Sequence, residues 1–362
     1  MPLFLDANAH VPLNNKALEA FIGFNKSIGG HGNAMAASLP GRTSAAEIET
    51  AREIIAEKIG AQNRNQIIFT SSCTQACEWA LDLLYQKGFK KVYCSQVEHS
   101  AVNKKAREFF GNNDLFVSRE GVTACSFVPD PNSAFICIHV QNEIGTIQSI
   151  EDIKVPFFSD MSQSLGKIPI NVSKIKNLHL ATFGAHKFGG PVGTGFLYIQ
   201  DTTWWKEFGS GSRYFFDRSG TPDAANIVAT AAALKDAIST LPKRYEQALN
   251  FKATLENSVH SLGFNIIGEN STRIPHTTFI QIGKGMGPYI MSQLEAEGIY
   301  IGLGSACGSF NTGANPLMSA LGYGGKSSDY IRISQWGDYG ATEAKMVVKV
   351  LAQNCPKLNK IP

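Results

Sequence analysis

Two residues stand out for the chemistry they could do, a lysine at the end of an apolar run and a cysteine in a glycine-rich stretch. Lys187 follows the run Leu178 to Phe183 within Gly184-Ala185-His186-Lys187-Phe188-Gly189-Gly190. Most lysines lie on a solvated face, but one at a strand end among small residues can be desolvated, which lowers its pKa and makes it a Schiff-base nucleophile. Cys307 sits in Gly302-Leu303-Gly304-Ser305-Ala306-Cys307-Gly308-Ser309. A lone cysteine is more often a small buried hydrophobe. Glycine and serine on both sides instead suit a mobile exposed loop that carries a thiol to a substrate.

Further polar residues fall at the ends of apolar runs. Thr70-Ser71-Ser72-Cys73-Thr74 opens a helical pattern, and its free N–H groups and hydroxyls would make either a phosphate cradle or a plain Ser/Thr-capped helix. Asp160, with Gln163 three residues on, either holds a heteroaromatic nitrogen protonated or caps a turn. Arg332 interrupts the alternation Tyr330 to Ser334. Facing inward it would need a carboxylate, such as that of a bound amino acid; facing outward it is an ordinary surface ion pair.

Positioning these groups requires a framework of buried strands. Short apolar runs at Gln66 to Thr70, Lys91 to Cys94, Ala134 to Val140, Val155 to Ser159, Leu178 to Phe183 and Gly195 to Ile199 alternate with turn signals, and helical sequence such as Gln75 to Tyr85 lies between some of them. That texture predicts an α/β fold with a mostly parallel sheet, whose ligands bind beyond the carboxyl ends of the strands. A helix is expected from Arg42 to Gly60, with Ser44 as cap and Glu47 completing a capping box. After Pro222 the pattern is helical to about Leu262, strand-like at Thr277 to Ile282, helical again from Pro288 to Gly298, and loop-like from Gly302 to Gly313. A domain boundary is expected near Pro242: residues 15–242 form a large domain, and residues 1–14 and 243–362 a smaller α+β one.

Composition excludes several classes. Apolar residues make up 43% and charged residues 17%, with 33 Lys+Arg against 30 Asp+Glu, so no strong field exists to attract nucleic acid or an anionic membrane. Residues 1–12 lack a basic start followed by an apolar run, so neither a secretory signal nor a spanning segment is expected, and a cytoplasmic location follows. Seven cysteines without framework spacing read as reduced thiols; Cys73 and Cys77 lack a second Cys/His pair that would make a zinc site.

In order along the chain these motifs resemble the NifS/IscS-like cysteine desulfurases of the class V aminotransferase family. The resemblance rests on Leu5-Asp6-Ala7-Asn8-Ala9-His10-Val11-Pro12, Gly32-Asn33, Phe69-Thr70-Ser71, Glu98-His99, and His139-Val140-Gln141-Asn142-Glu143-Ile144-Gly145. It continues through Asp160 with Gln163-Ser164-Leu165-Gly166-Lys167, His186-Lys187, Arg218-Ser219-Gly220-Thr221, Gly304-Ser305-Ala306-Cys307 and Arg332-Ile333-Ser334.

The resemblance implies the fold type I of pyridoxal-phosphate (PLP) enzymes, with a mostly parallel seven-stranded sheet between helices. It implies that Lys187 carries PLP, Asp160 pairs with the ring nitrogen, Gln163 meets the phenolic oxygen and His99 stacks on the ring. His186, Cys73 and Thr74 would hold the phosphate, with Thr221 reaching the phosphate of a neighbouring subunit in a homodimer. Asn142 and Arg332 would grip the carboxylate of L-cysteine, and Cys307 would take its sulfur as a persulfide for a protein acceptor or scaffold, as in iron–sulfur cluster biogenesis. The spacing after Cys307 resembles the long-loop form.

Four departures stand against the pattern: Gly184 replaces a serine, Ser72-Cys73-Thr74-Gln75 replaces Gly-Ala-Thr-Glu, residues 111–135 and 150–156 are shortened and the chain stops at Pro362 without a long tail, and Ser212 to Asp217 replaces the usual loop. A selenocysteine lyase, an aminotransferase or a catalytically silent scaffold relative are the alternatives.

Overall fold

The computed structural model describes residues 2–125, 132–207, 220–304 and 315–358. Its strands are β1 (Leu3–Leu5), β2 (Ile67–Thr70), β3 (Lys91–Ser95), β4 (Asp114–Leu115), β5 (Ser133–Ile136), β6 (Phe157–Asp160), β7 (Leu178–Gly184), β8 (Gly195–Ile199), β9 (Asn265–Ile266), β10 (Thr277–Gln281), β11 (Ile299–Leu303) and β12 (Tyr330–Ser334). Its helices are α1 (Asn15–Lys26), α2 (Leu39–Ile59), α3 (Cys73–Gln86), α4 (Ser100–Phe110), α5 (Thr202–Glu207), α6 (Ala224–Ser261), α7 (Gly287–Ala296), α8 (Pro316–Ala320) and α9 (Ala341–Leu358).

Seven strands form one sheet in the order β2-β8-β7-β6-β5-β3-β4. The run from β7 to β4 is parallel, and β8 is antiparallel to both β7 and β2. Side chains alternate across it as the period of two demands. Ile67, Phe69, Phe135, Phe157, Ala181, Phe183, Phe196 and Tyr198 join a core with α2 and the first half of α6. Ile68, Ala134, Ile136, Phe158, Leu180, Leu197 and Ile199 point the other way, into a core with α3 and α4. Burial on both faces explains why these strands read as unbroken apolar runs.

A second sheet has the order β1-β11-β12-β10-β9. Leu3–Leu5 pairs in parallel with Ile299–Ile301, so the first residues return to the C-terminal part of the chain. Helix α6 joins the two layers: Ala224 to Ala237 belong to the first core, while Phe251, Leu255 and Val259 pack with the second sheet. Pro242 lies inside this helix, forfeiting one backbone hydrogen bond without ending it.

Three expected boundaries shift. Helix α2 starts at Leu39, capped by the Ser38 side chain, with Pro40 in its first turn, where proline's missing N–H costs nothing. Ser44 is buried in the helix body instead of capping it. The strand expected to reach Val140 ends at Ile136, although Cys137 N and His139 N still donate to Phe158 O and Asp160 O beside it before the chain turns at 142–144. The strand expected from Val155 starts at Phe157, after Pro156.

Candidate active site

The parallel strands deliver their polar residues to one edge. Asp160 is the last residue of β6, Lys187 ends the 3-10 turn after β7, α3 begins after β2, His99 caps α4 after β3, and Asn142 follows β5. In helix α3 the Ser72 hydroxyl accepts from Gln75 N and the Ser72 carbonyl from Ala76 N. The N–H groups of Cys73 and Thr74 are the first two of the helix and have no intrahelical partner, so they point at the space beyond the strand ends with the helix dipole behind them. Strand β8 runs so close to this turn that a Cβ on Gly195 would lie 2.7 Å from Ser72 C and 2.8 Å from Cys73 N.

The half-buried Lys187 amine donates to the carbonyls of Asn8 at 2.7 Å and Ala9 at 2.8 Å. Gln163 Nε2 donates to the same Asn8 carbonyl at 2.9 Å. Asp160 is buried, with Oδ1 accepting from Ser162 N at 2.9 Å. His99 Nδ1 accepts from Ala101 N, which fixes the ring at the head of α4. Thr74 and Thr221 are exposed.

Arg332 is fully buried rather than on the surface, and Asp6 supplies its carboxylate at 2.7 Å. Its NH1 donates to the Asn142 carbonyl at 3.4 Å, and its Nε finds no hydrogen-bond partner among the described residues. Gly302 is required beside this pair, since a Cβ there would lie 2.6 Å from Asp6 Oδ1.

Burial shapes the protonation states. Desolvation lowers His139 to about 4, and desolvation reinforced by the charges of Lys187 and His10 lowers His186 to about 4, so both imidazoles are neutral near pH 7. Glu143 moves the other way, up to about 7, because burial outweighs the pull of Arg332, Asn315 and His99.

Two of the departures touch each other: a Cβ on Gly184 would sit 3.3 Å from Cys73 Cβ and 3.3 Å from His186 Cε1. Cys73 Sγ lies 2.8 Å from Ser162 Oγ, 3.8 Å from Asp160 Oδ1 and 3.9 Å from Cys77 Sγ. With Asp160 these two thiols make a three-residue cluster of metal-ligand types, although both thiols already meet hydroxyls, of Ser162 and Thr182. Cys307, Arg218 and Ser219 lie outside the described residues, as do Ser212 to Asp217 and the stretch from Ser305 to Gly313.

Three residues at the site carry no role in the reading of the sequence: Asp6, Asn8 and Lys167. All three stand inside motifs quoted above. Their partners lie 326, 179 and 159 positions away, a separation that no local pattern reveals.

Comparison with known proteins matches residues 3–339 to the aminotransferase class-V family model. The chain belongs to that family, whose members generally depend on PLP. Within it, the chain is 32% identical to the cysteine desulfurase IscS of Dictyoglomus turgidum, over 88% of this chain and 85% of the relative. It is also 27% identical to the putative cysteine desulfurase IscS 1 of Bacillus subtilis, over 97% of each. The fold matches a NifS-like protein at a TM-score of 0.86, with 24% identity and coverage of 99% and 100%. An apo cysteine desulfurase from Thermococcus onnurineus matches at 0.83, with 18% identity and coverage of 98% and 95%.

The residues present fit PLP. Helix α3 leaves two N–H groups for a phosphate, Asp160 offers a buried carboxylate at the end of β6, and Lys187 offers an amine after the adjoining strand β7.

Proposed function

We propose that this protein is a PLP-dependent cysteine desulfurase that converts L-cysteine to L-alanine and leaves the sulfur as a persulfide on Cys307. The observation that carries the proposal is the convergence of Lys187, Asp160 and the open N-terminus of α3 on one edge of the sheet. Bound PLP supplies an electron sink for the bond to the substrate Cα. Lys187 would hold the cofactor, and its amine would move the Cα proton. Asp160 would keep the ring nitrogen protonated, Gln163 would meet the phenolic oxygen and His99 would stack on the ring. His186, Cys73 and Thr74 hold the phosphate. Arg332, whose Nε has no hydrogen-bond partner among the described residues, and Asn142 would orient the substrate carboxylate. The Cys307 thiolate attacks the substrate sulfur, so an S–S bond forms as the C–S bond breaks and its electron pair passes to carbon, which is protonated to give alanine.

The same reading places the PLP-binding domain at 15–242 and the smaller domain, with the cysteine stretch, at 1–14 and 243–362. It makes the working form a cytoplasmic homodimer in which Thr221, exposed on the single chain, reaches the neighbouring subunit's phosphate. A protein acceptor then collects the sulfur, with iron–sulfur cluster assembly as the destination suggested by the IscS relatives.

The purified protein is expected to be yellow, and Lys187→Ala to lose the visible band. Cys307→Ala should keep that band while alanine and persulfide formation from L-cysteine fall to background. Sulfur release that survives Cys307→Ala would refute the desulfurase assignment in favour of another class V reaction, and a colourless protein that PLP cannot reconstitute would point to a silent scaffold.

A further inference from the structure

Lys167 is a second lysine at the site, and its burial is complete, with 0% of its surface exposed. An ammonium or amine in such a place must satisfy its donors or destabilise the fold. Lys167 Nζ donates to Asn8 Oδ1 at 2.7 Å and to Gln163 Oε1. Each acceptor belongs to a residue that also touches the Lys187 amine or the atom it rests on. The Asn8 carbonyl accepts from both Lys187 Nζ and Gln163 Nε2. The Asn8 amide donates to Thr277 Oγ1 at 2.8 Å and to the Asn142 carbonyl at 3.0 Å, and its backbone N–H donates to Ser334 Oγ at 3.0 Å.

The direction of these bonds decides the orientation of two amides. Because Lys167 Nζ donates to Oε1, it holds Gln163 with that oxygen turned toward Nζ, so Nε2 is the end presented beside Lys187. It likewise holds Asn8 with Oδ1 inward and its amide nitrogen toward Asn142. Lys187, Arg332 and Arg244 face Lys167 from neighbouring elements, and burial together with their charges pushes its pKa well down. His276, packed near it, is likewise lowered.

We propose that Lys167 is a positioning residue: through Asn8 and Gln163 it fixes the hydrogen-bond polarity around the Lys187 amine, so that a donor rather than an acceptor faces the cofactor oxygen next to that amine. This rests on the PLP reading above. Among the described residues Lys167 donates to neutral amides, of Asn8 and Gln163, and forms no salt bridge.

The test uses the full-length PLP-loaded protein, with Lys167→Met as a near-isosteric change that removes the donor. A released Gln163 loses its fixed donor toward the phenolic oxygen. The expected result is PLP dissociation about tenfold faster, and a rise of about one unit in the pH midpoint of the bound cofactor's visible absorption. Asn8→Ala, which deletes the side-chain oxygen that accepts from Lys167 and keeps the backbone carbonyl and Lys167 in place, should move the midpoint the same way, and the double variant should add little to either. It also carries the test if Lys167→Met does not fold. A merely structural lysine would lower thermal stability but leave the midpoint where it is, and a folded variant with wild-type midpoint and PLP retention overturns the proposal. A wild-type protein that binds no PLP would instead bring down the function proposed above, and this inference with it.

Discussion

A guanidinium taken wholly out of water is costly unless a carboxylate and further acceptors replace its hydration. Arg332 has one such carboxylate, Asp6 at 2.7 Å, and the Asn142 carbonyl at 3.4 Å. The pair forms across 326 positions and ties the start of the chain to the central strand β12 of the smaller sheet. Asp6 is partly exposed while Arg332 is not, so removing the acid leaves an uncompensated buried cation. Asp6→Asn keeps the volume and should cost about 3 kcal/mol of unfolding free energy, measured by urea denaturation. Bound substrate carboxylate should recover part of that loss if Arg332 grips it. An unchanged midpoint in urea would show that Arg332 has another counter-ion. The same geometry sharpens the expectation drawn from sequence alone, that an inward Arg332 needs a carboxylate: the fold supplies one, and Nε, without a hydrogen-bond partner among the described residues, would meet the second in the proposed reading.

Among the elements, α3 and β8 are the pair on which cofactor binding would depend. Gly195 lets β8 pass within van der Waals contact of the turn that opens α3, and the N–H groups of Cys73 and Thr74 stand at that turn. Gly195→Ala would force a methyl to within 2.8 Å of Cys73 N and must push the helix start away. The expected cost is about 1–3 kcal/mol, with weakened PLP binding seen by absorption titration; a variant that binds PLP as tightly as wild type would mean that the helix start does not hold the phosphate. The start of α3 was legible because Ser and Thr at a strand end are strong cap signals. The start of α2 was not: Leu39-Pro40 reads as a break, yet proline is tolerated in a first helical turn, and Ser38 caps it from outside the apolar pattern. Strand centres were legible for a related reason. Burial on both faces leaves long apolar runs, whereas strand ends depend on pairing partners that a run does not record.

At the scale of the whole molecule, buried titratable groups at the site couple its chemistry to stability. The motif letters that carry them were legible, but their protonation states were not, because these follow from burial between layers that are distant in sequence. His139 and His186, held near 4 instead of 6.5, contribute stability that is present above about pH 6.5 and lost as pH falls toward 4. Glu143 has the opposite sign. Its folded pKa of about 7 lies above the ordinary 4.5, so the folded state binds its proton more tightly than the unfolded chain does. Its contribution is fully present below about pH 4.5 and is lost as pH rises through 7. Glu143→Gln removes this contribution while keeping the shape and the hydrogen-bonding capacity toward Asn315. Unfolding free energies of wild type and variant, measured in urea at pH 5 and pH 8 on the same cofactor-loaded form, should therefore differ in a pH-dependent way. The variant should gain about 2–3 kcal/mol relative to wild type on going from pH 5 to pH 8. An equal difference at both values would mean that the Glu143 carboxylate is already ionised in the fold at pH 5, held by Arg332 more firmly than burial opposes it.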